Sequence, residues 1–175
     1  MVAALLLLTL GTTPAAVTET SPTLRCLPAR DGYLSMHLRG SIEAEVQWRE
    51  PELLCTGMPR PDGRGLRLRF EGSLPGSGPL VIVFAAPELG MGISSRGVPV
   101  NVTLIDEAGE RIYGTLGESR CMFDTVEQKP VSNATAAPHT YQVNARGFGT
   151  APARAPDGPG AVLLTRFDFA GLVSF

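Results

Sequence analysis

Residues able to act as nucleophiles or general bases are few in this chain. There are two histidines, His37 and His139, and no Gly-x-Ser-x-Gly motif. A hydrolytic triad needs a nucleophile, a histidine base and a carboxylate that orients the base. His37 lies on the polar side of a predicted strand, where a solvated or cross-strand-paired histidine is ordinary, and His139 lies in a loop rich in Pro and Ala. These positions argue against a nucleophilic triad.

Paired carboxylates are the second possible source of chemistry. A glycoside hydrolase needs two carboxylates about 5–9 Å apart across a cleft. Asp106 and Glu107 are adjacent at a predicted hairpin tip, where their side chains point apart. The other pair, Glu43 and Glu45, shares one face of a predicted strand, and we expect it to pair with strand arginines such as Arg67 and Arg69. The acidic residues therefore indicate charged strand faces rather than catalysis.

The candidate binding residues are polar residues in or near predicted loops, chosen by position and not by motif. Binding and catalytic residues concentrate on loops that a rigid scaffold positions. We expect the loops at 86–97 and 127–139, or an exposed sheet edge, to carry any ligand or partner. The individual candidates are Asp106, Glu107, Asp124, Glu127 and His139.

No motif predicts a cofactor or a metal ion. The Gly-rich segments lack the Gly-Lys-Ser/Thr of a phosphate loop, and the chain has no Cys-x-x-Cys and no histidine cluster. A formal net charge of −2 argues against nucleic-acid binding, which depends on phosphate neutralisation by basic residues. The expected partner is therefore an unidentified protein or small ligand.

Three cysteines are present, and one pair is predicted to close. We expect Cys26–Cys55, because the two residues flank one long strand segment. On the chain-entropy model a loop of that length stabilises the fold by roughly 3–4 kcal/mol. Cys121 is then the odd thiol, and we expect a buried, inert cysteine rather than intermolecular pairing or a reactive nucleophile.

The first fifteen residues have the pattern of a secretory signal peptide. An uncharged run of leucines is followed by small residues, and cleavage after Ala15 fits best. The run is shorter than the roughly 20 residues that a transmembrane helix needs. Because 14 of the 15 basic residues are arginine and Ala, Gly and Pro are abundant, the composition is typical of a GC-rich bacterial genome. We therefore expect an exported protein of the periplasm or cell exterior.

Hydrophobic alternation predicts β-structure through most of the chain. From Tyr33 to Trp48 every even position is apolar or Gly and every odd position is polar or amphipathic, the period of a strand with one buried face. Gly40 lies in the middle of this run, so we expect a bend or bulge there. Similar runs follow, among them Leu66, Leu68 and Phe70, separated by Gly/Pro-rich turns, and no capped amphipathic helix is evident. We predict seven to nine strands in an all-β, antiparallel two-sheet β-sandwich, Ig-like or jelly-roll-like. Residues 1–15 are the predicted leader, 16–32 an N-terminal extension and 33–175 a single domain.

The expected function follows from this scaffold and from the lack of a catalytic motif. We predict a non-catalytic binding or structural module outside the cytosol. One alternative is an extracytoplasmic hydrolase with an unrecognised site, perhaps acting on a glycan. The other is a small outer-membrane β-barrel, because Phe167, Phe169, Val173 and Phe175 alternate toward a terminal aromatic residue.

Overall fold

The computed structural model describes residues 26–118, 120–132 and 137–175. The predicted leader and most of the predicted extension lie outside the described residues. Within the described ranges the chain forms strands and no helix, so they contain no helix long and apolar enough to cross a membrane. The strands are β1 (Tyr33–Gly40), β2 (Ala44–Arg49), β3 (Leu54–Pro59), β4 (Leu66–Leu74), β5 (Gly78–Ala86), β6 (Ser95–Asp106), β7 (Arg111–Gly114), β8 (Cys121–Pro130), β9 (Thr140–Gly149), β10 (Ala153–Arg154) and β11 (Ala161–Ser174).

All eleven strands are hydrogen-bonded into one antiparallel sheet, which confirms the all-β prediction. The strand order is β2-β1-β11-β10-β7-β6-β5-β4-β3, and β8 and β9 form a second connection between β6 and β11. Strand β6 joins two parts of the sheet, because its first half pairs with β8 and its second half with β5 and β7. The predicted number of seven to nine strands was too low.

In β1 the alternation of apolar residues correctly predicts which side chains are buried, whereas in β7 Ile112 is exposed and Tyr113 is buried. Leu34, Met36 and Leu38 of β1 are buried, whereas the polar residues between them face outward. Trp48 and Phe70 are also buried, as predicted. The run is interrupted at the predicted glycine: β1 ends at Gly40, whose φ of +110° is a backbone conformation that favours glycine. A turn follows, and the alternation resumes in β2.

Aromatic side chains from distant strands meet in the core. The Phe70 ring in β4 lies 4.9 Å from the Phe169 ring in β11, and Phe84 in β5 lies 5.1 Å from the same ring. Gly171 leaves room for this packing, since a Cβ there would come within 3.3 Å of the Phe70 ring. Trp48 donates a hydrogen bond from Nε1 to the Ser73 carbonyl oxygen at 3.0 Å. The core therefore contains side chains from strands that are far apart in the strand order.

The segment before β1 is tied to the sheet at two points. The sulfurs of Cys26 and Cys55 lie at disulfide distance, which agrees with the predicted pair, and their Cα atoms are 5.0 Å apart. The Glu50 carboxylate accepts hydrogen bonds from the backbone N–H groups of Cys26 (3.0 Å), Leu27 (3.2 Å) and Gly32 (3.0 Å). Because the Glu50 carboxylate alone satisfies all three backbone donors, the segment has a defined path over the sheet.

Glu43 pairs with a strand arginine, as predicted, but neither Glu43 nor Glu45 pairs with the two arginines that were named. Glu43 pairs with Arg39 at 2.5 Å rather than with Arg67 or Arg69. Glu45 likewise lies beside a residue of β1, with its Oε1 atom 3.4 Å from Nε2 of His37. The reason is the strand order, because β2 has β1 as its hydrogen-bonded neighbour whereas the two arginines lie on β4, which pairs with β3 and β5.

Candidate functional site

A row of polar side chains crosses the outward face of five adjoining strands. The strands are β1, β11, β9, β8 and β6 in this spatial order, and their antiparallel register aligns one polar residue from each. At about 4.8 Å between strands the row is roughly 19 Å long. We call it the polar row, and its members in order are Ser35, Asp168, Arg146, Thr125 and Arg96.

A second, parallel row lies one pleat away on the same face. Tyr33 of β1 is opposite Ala170 of β11, Ala170 is opposite Asn144 of β9, and Asn144 is opposite Glu127 of β8. Side chains two positions apart on a strand share a face. The second row therefore widens the polar surface along the strands.

An irregularity in β8 adds one more carboxylate to this face. The register between β8 and β9 shifts between Phe123 and Thr125, so that Asp124 has no directly opposite residue. Such a bulge re-aims side chains, and here Asp124 and Thr125 both line the outward surface. The Asp124 Oδ2 atom lies 3.7 Å from Nε of Arg146. The bulge therefore brings a carboxylate beside the central arginine of the polar row.

Two adjoining cavities of about 620 and 450 Å³ lie over the polar row. Both have Arg146 and Asp168 in their lining, so we describe them as one groove. Each volume lies within the roughly 300–1,000 Å³ typical of ligand sites. We call it the polar groove, and its lining includes Tyr33, Ser35, Arg96, Asp124, Thr125, Glu127, Asn144, Arg146, Phe148, Arg166 and Asp168.

Tyr33 and Asp168 form the most tightly connected pair in the polar groove. The Tyr33 hydroxyl donates to Oδ1 of Asp168 at 2.5 Å. Burial raises the pKa of Tyr33 to about 12, and the adjacent Asp168 carboxylate contributes in the same direction. The Arg49 guanidinium lies over the Tyr33 ring, 5.6 Å from its centroid. Tyr33 therefore remains a neutral hydrogen-bond donor at physiological pH, and it orients the Asp168 carboxylate.

The ionisable side chains of the polar groove balance in charge. Its three guanidinium groups and three carboxylates sum to zero, and the two signs are interspersed across the strands. Guanidinium groups only donate hydrogen bonds, whereas carboxylates only accept them. The groove thus offers a ligand separate donor and acceptor positions. The arginines are Arg96, Arg146 and Arg166, and the carboxylates are Asp124, Glu127 and Asp168.

His37 lies in a cross-strand polar environment, one of the two situations expected for it. The Arg166 guanidinium donates to Nε2 of His37 at 2.9 Å, and Oε1 of Glu45 lies 3.4 Å from the same nitrogen. Cys121 is buried and outside the disulfide, and burial raises the pKa of its thiol to about 12. A thiol with that pKa is almost entirely protonated at neutral pH, and the thiolate is the nucleophilic form. This state fits the inert role expected for Cys121.

Two of the five candidate residues, Asp124 and Glu127, line the polar groove. Asp106 lies outside the groove, at the turn after β6, where its Oδ1 atom accepts a hydrogen bond from the N–H of Gly109 at 3.0 Å. Glu107 belongs to the same turn. His139 has a φ of +59° and lies in the turn before β9, where its carbonyl oxygen accepts from Phe175 at 3.1 Å. The structure therefore does not bring Asp106, Glu107 or His139 to the groove.

The remaining groove residues were missed because they belong to strands and not to loops. Asp168 lies between two buried phenylalanines and Arg146 between a buried alanine and a glycine, so the alternation does predict that both face outward. What the sequence lacks is any signal that these two outward positions are neighbours. The expected loops are also shorter than predicted, since β6 begins at Ser95 and β8 continues to Pro130.

The loop beside the polar groove is held by one buried side chain. Gln128 accepts from the N–H of Gly92 at 3.1 Å and donates from Nε2 to the carbonyl oxygens of Gly90 (2.8 Å) and Ile93 (2.9 Å). Its own backbone N–H donates to the Ser94 hydroxyl at 3.0 Å. Because Ser94 lines the groove, these bonds fix the position of that wall.

Among the described residues, no group of three or more His, Cys, Asp and Glu side chains is placed to hold a metal ion. Comparison with known proteins gives no matching family model, no similar curated protein and no similar solved structure. Function is therefore inferred from the residues of the polar groove themselves.

Proposed function

We propose that this protein is a non-catalytic binding module and that its ligand lies in the polar groove. The observation that carries the proposal is the polar row, in which five strands place one polar side chain each in register. A ligand across the row contacts every strand, and each strand is held by its neighbours. Side chains on such a scaffold are preorganised, so little ordering is required when a ligand binds.

Two finer features of the proposal concern the scaffold and its location. We infer a two-layered sandwich of the Ig-like or jelly-roll-like kind, which is supported by the packing of Phe70 against Phe169 and of Trp48 over Gly72. We also infer export to the periplasm or cell exterior. The Cys26–Cys55 pair supports export because disulfides persist mainly in oxidising compartments.

The test compares two arginine substitutions in the full chain. Arg146→Ala removes the central donor of the polar groove, and Arg111→Ala removes an exposed arginine of β7 outside the groove. Ligands are first found by thermal-shift screening of mixed metabolite, glycan and peptide sets, and affinities are then measured by calorimetry. Arg146→Ala should weaken binding about tenfold or more, as expected when a charged hydrogen bond is lost.

Arg111→Ala should leave the affinity unchanged, and both variants should melt near the wild-type temperature. If every ligand binds Arg146→Ala as tightly as it binds Arg111→Ala, the groove is not the binding site and the proposal is wrong.

A second candidate function is an extracytoplasmic hydrolase, which one specific observation favours. Asp124 and Asp168 lie on the strands to either side of Arg146 in the same groove, and hydrolysis of glycosides uses two carboxylates. The test is release of reducing ends from oligosaccharides by the wild-type protein, with Asp168→Asn as the variant. Release that persists in Asp168→Asn, or no release by the wild type, excludes this use of the groove.

A further inference from the structure

We infer that the ligand of the polar groove is an uncharged oligosaccharide. This inference rests on the proposed function, since it names the ligand of the same site. It is carried by the order of donors and acceptors along the groove, by the balance of charge, by the closed backbone of the groove floor and by one exposed aromatic side chain.

The order of hydrogen-bonding groups requires a ligand that both donates and accepts. In the polar row Asp168 is acceptor-only, Arg146 and Arg96 are donor-only, and the hydroxyls of Ser35 and Thr125 can do either. Asp124 beside Arg146 adds a second acceptor-only group. A hydroxyl group has one donor and two acceptor sites. A chain of hydroxyls can therefore satisfy every position in turn without regard to its direction.

The balance of charge favours a ligand without net charge. A polyanion in the groove meets Asp124, Glu127 and Asp168, and a polycation meets an equal number of guanidinium groups. Like charges brought together at an interface reduce affinity and act against the wrong ligand. Since both signs are distributed along the groove, neither kind of polyion can avoid its like charge.

The closed backbone of the groove floor argues against a peptide bound by strand addition. That mode needs unpaired N–H and C=O groups at a sheet edge. Strands β1, β11, β9 and β8 each have hydrogen-bonded neighbours on both sides. The floor formed by these four strands therefore offers side chains and no backbone ladder. The first half of β6, at the end of the row, pairs with β8 alone.

An exposed aromatic side chain completes the site. Phe148 lies two positions after Arg146 on the same face of β9, lines the groove and is 41% exposed. A sugar ring carries hydroxyls at its rim and C–H groups on its faces. An aromatic ring beside planar polar groups can pack against those C–H groups while the polar groups bind the hydroxyls. At roughly 19 Å, the polar row is long enough for several sugar units.

The test uses defined probes with the full chain. The uncharged probes are maltohexaose, cellohexaose, xylohexaose and chitohexaose; hexagalacturonate is the anionic probe, fully deacetylated chitohexaose the cationic probe, and a random decapeptide pool the peptide probe. Binding is measured by calorimetry and located by amide shift changes in NMR spectra. At least one uncharged probe should bind, with shift changes at β9, β11 and β8.

Phe148→Ala and Arg146→Ala should each weaken this binding about tenfold or more, whereas Arg111→Ala should not. The affinity should change by less than about twofold between roughly 0.05 and 0.5 M NaCl, because an uncharged ligand has no charge to screen. Phe148 is partly exposed, so its substitution tests binding without disrupting the core.

The outcomes separate this inference from the proposed function. If a charged hexasaccharide or a peptide binds in the groove and no uncharged probe does, the sugar inference is wrong and the groove remains a binding site. If none of the uncharged probes binds, the inference is also overturned, and the wider screen decides the proposed function. If an uncharged probe binds equally well to all variants, it binds elsewhere and both are wrong.

Discussion

The two faces of β11 show how differently a strand specifies its core and its site. Phe167 and Phe169 point inward and pack against rings from other strands, whereas Asp168 between them points outward into the polar groove. The inward face needs only apolar side chains of suitable volume. The outward face needs particular polar groups beside particular neighbours, and Tyr33, which holds Asp168, is 135 positions away. We therefore expect stability to depend mainly on the inner face, and the proposed binding on the outer face.

Substitution of the adjacent residues Phe169 and Asp168 on β11 should give the largest difference in stability between the two faces. Phe169→Ala should destabilise the fold by about 3–5 kcal/mol, because it leaves a cavity among Phe70, Phe84 and Phe123. Asp168→Asn should cost about 1 kcal/mol or less, because the amide oxygen can still accept from Tyr33. The free energy of unfolding is measured in urea. Equal losses for the two variants would contradict the assignment of the faces.

Removal of the Cys26–Cys55 disulfide should cause the next largest loss of stability. Cys26 and Cys55 are both buried and enclose a loop with a sequence separation of 29. Their double substitution by serine should lower the free energy of unfolding by roughly 3–4 kcal/mol, because the unfolded chain gains freedom. Reductant should lower the denaturation midpoint of the wild type and leave that of the double variant unchanged. A wild-type midpoint that does not respond to complete reduction would refute this contribution.

The Tyr33–Asp168 hydrogen bond on the outer face should contribute less to stability than either core feature. Tyr33→Phe should cost about 0.5–1.5 kcal/mol, since it removes the hydrogen bond to Asp168. The folded pKa of Tyr33 is raised from 10.0 to about 12. Between these pH values the unfolded state binds fewer protons than the folded state, so stability decreases as pH rises.

Titration of the Cys121 thiol has the same sign, because burial raises its pKa from 9.0 to about 12. The measurement is therefore the difference between wild type and Tyr33→Phe in urea melts at pH 8 and at several values from 10 to 12. The variant should lose less stability over that range. Parallel curves for the two proteins would show that Tyr33 does not retain its proton on folding.

Much of the fold could be predicted because it depends on local patterns. The period of two gave the buried residues of β1 and the core positions Trp48 and Phe70, and a glycine correctly marked the end of β1. The paired cysteines also agree with the prediction. The ion pairs of Glu43 and Glu45 could not be predicted, because strand order depends on contacts between segments far apart in the chain.

The candidate site was only partly predictable for the same reason. Asp124 and Glu127 were chosen as loop residues, and they line the groove as members of β8. The assumption that loops carry the site directed attention to Asp106, Glu107 and His139, which lie elsewhere. Arg146 and Asp168 belong to no motif, and only the register of β9 and β11 shows that they lie opposite each other.

The amino-acid sequence by itself determined the kind of element and the buried face of strands such as β1 and β4, because these depend on residue type and short-range periodicity. Only the tertiary structure decided that Ser35, Asp168, Arg146, Thr125 and Arg96 form one row. Strand neighbours and register are set by the packing of the whole core, and a shift of one residue would turn each of these side chains to the opposite face.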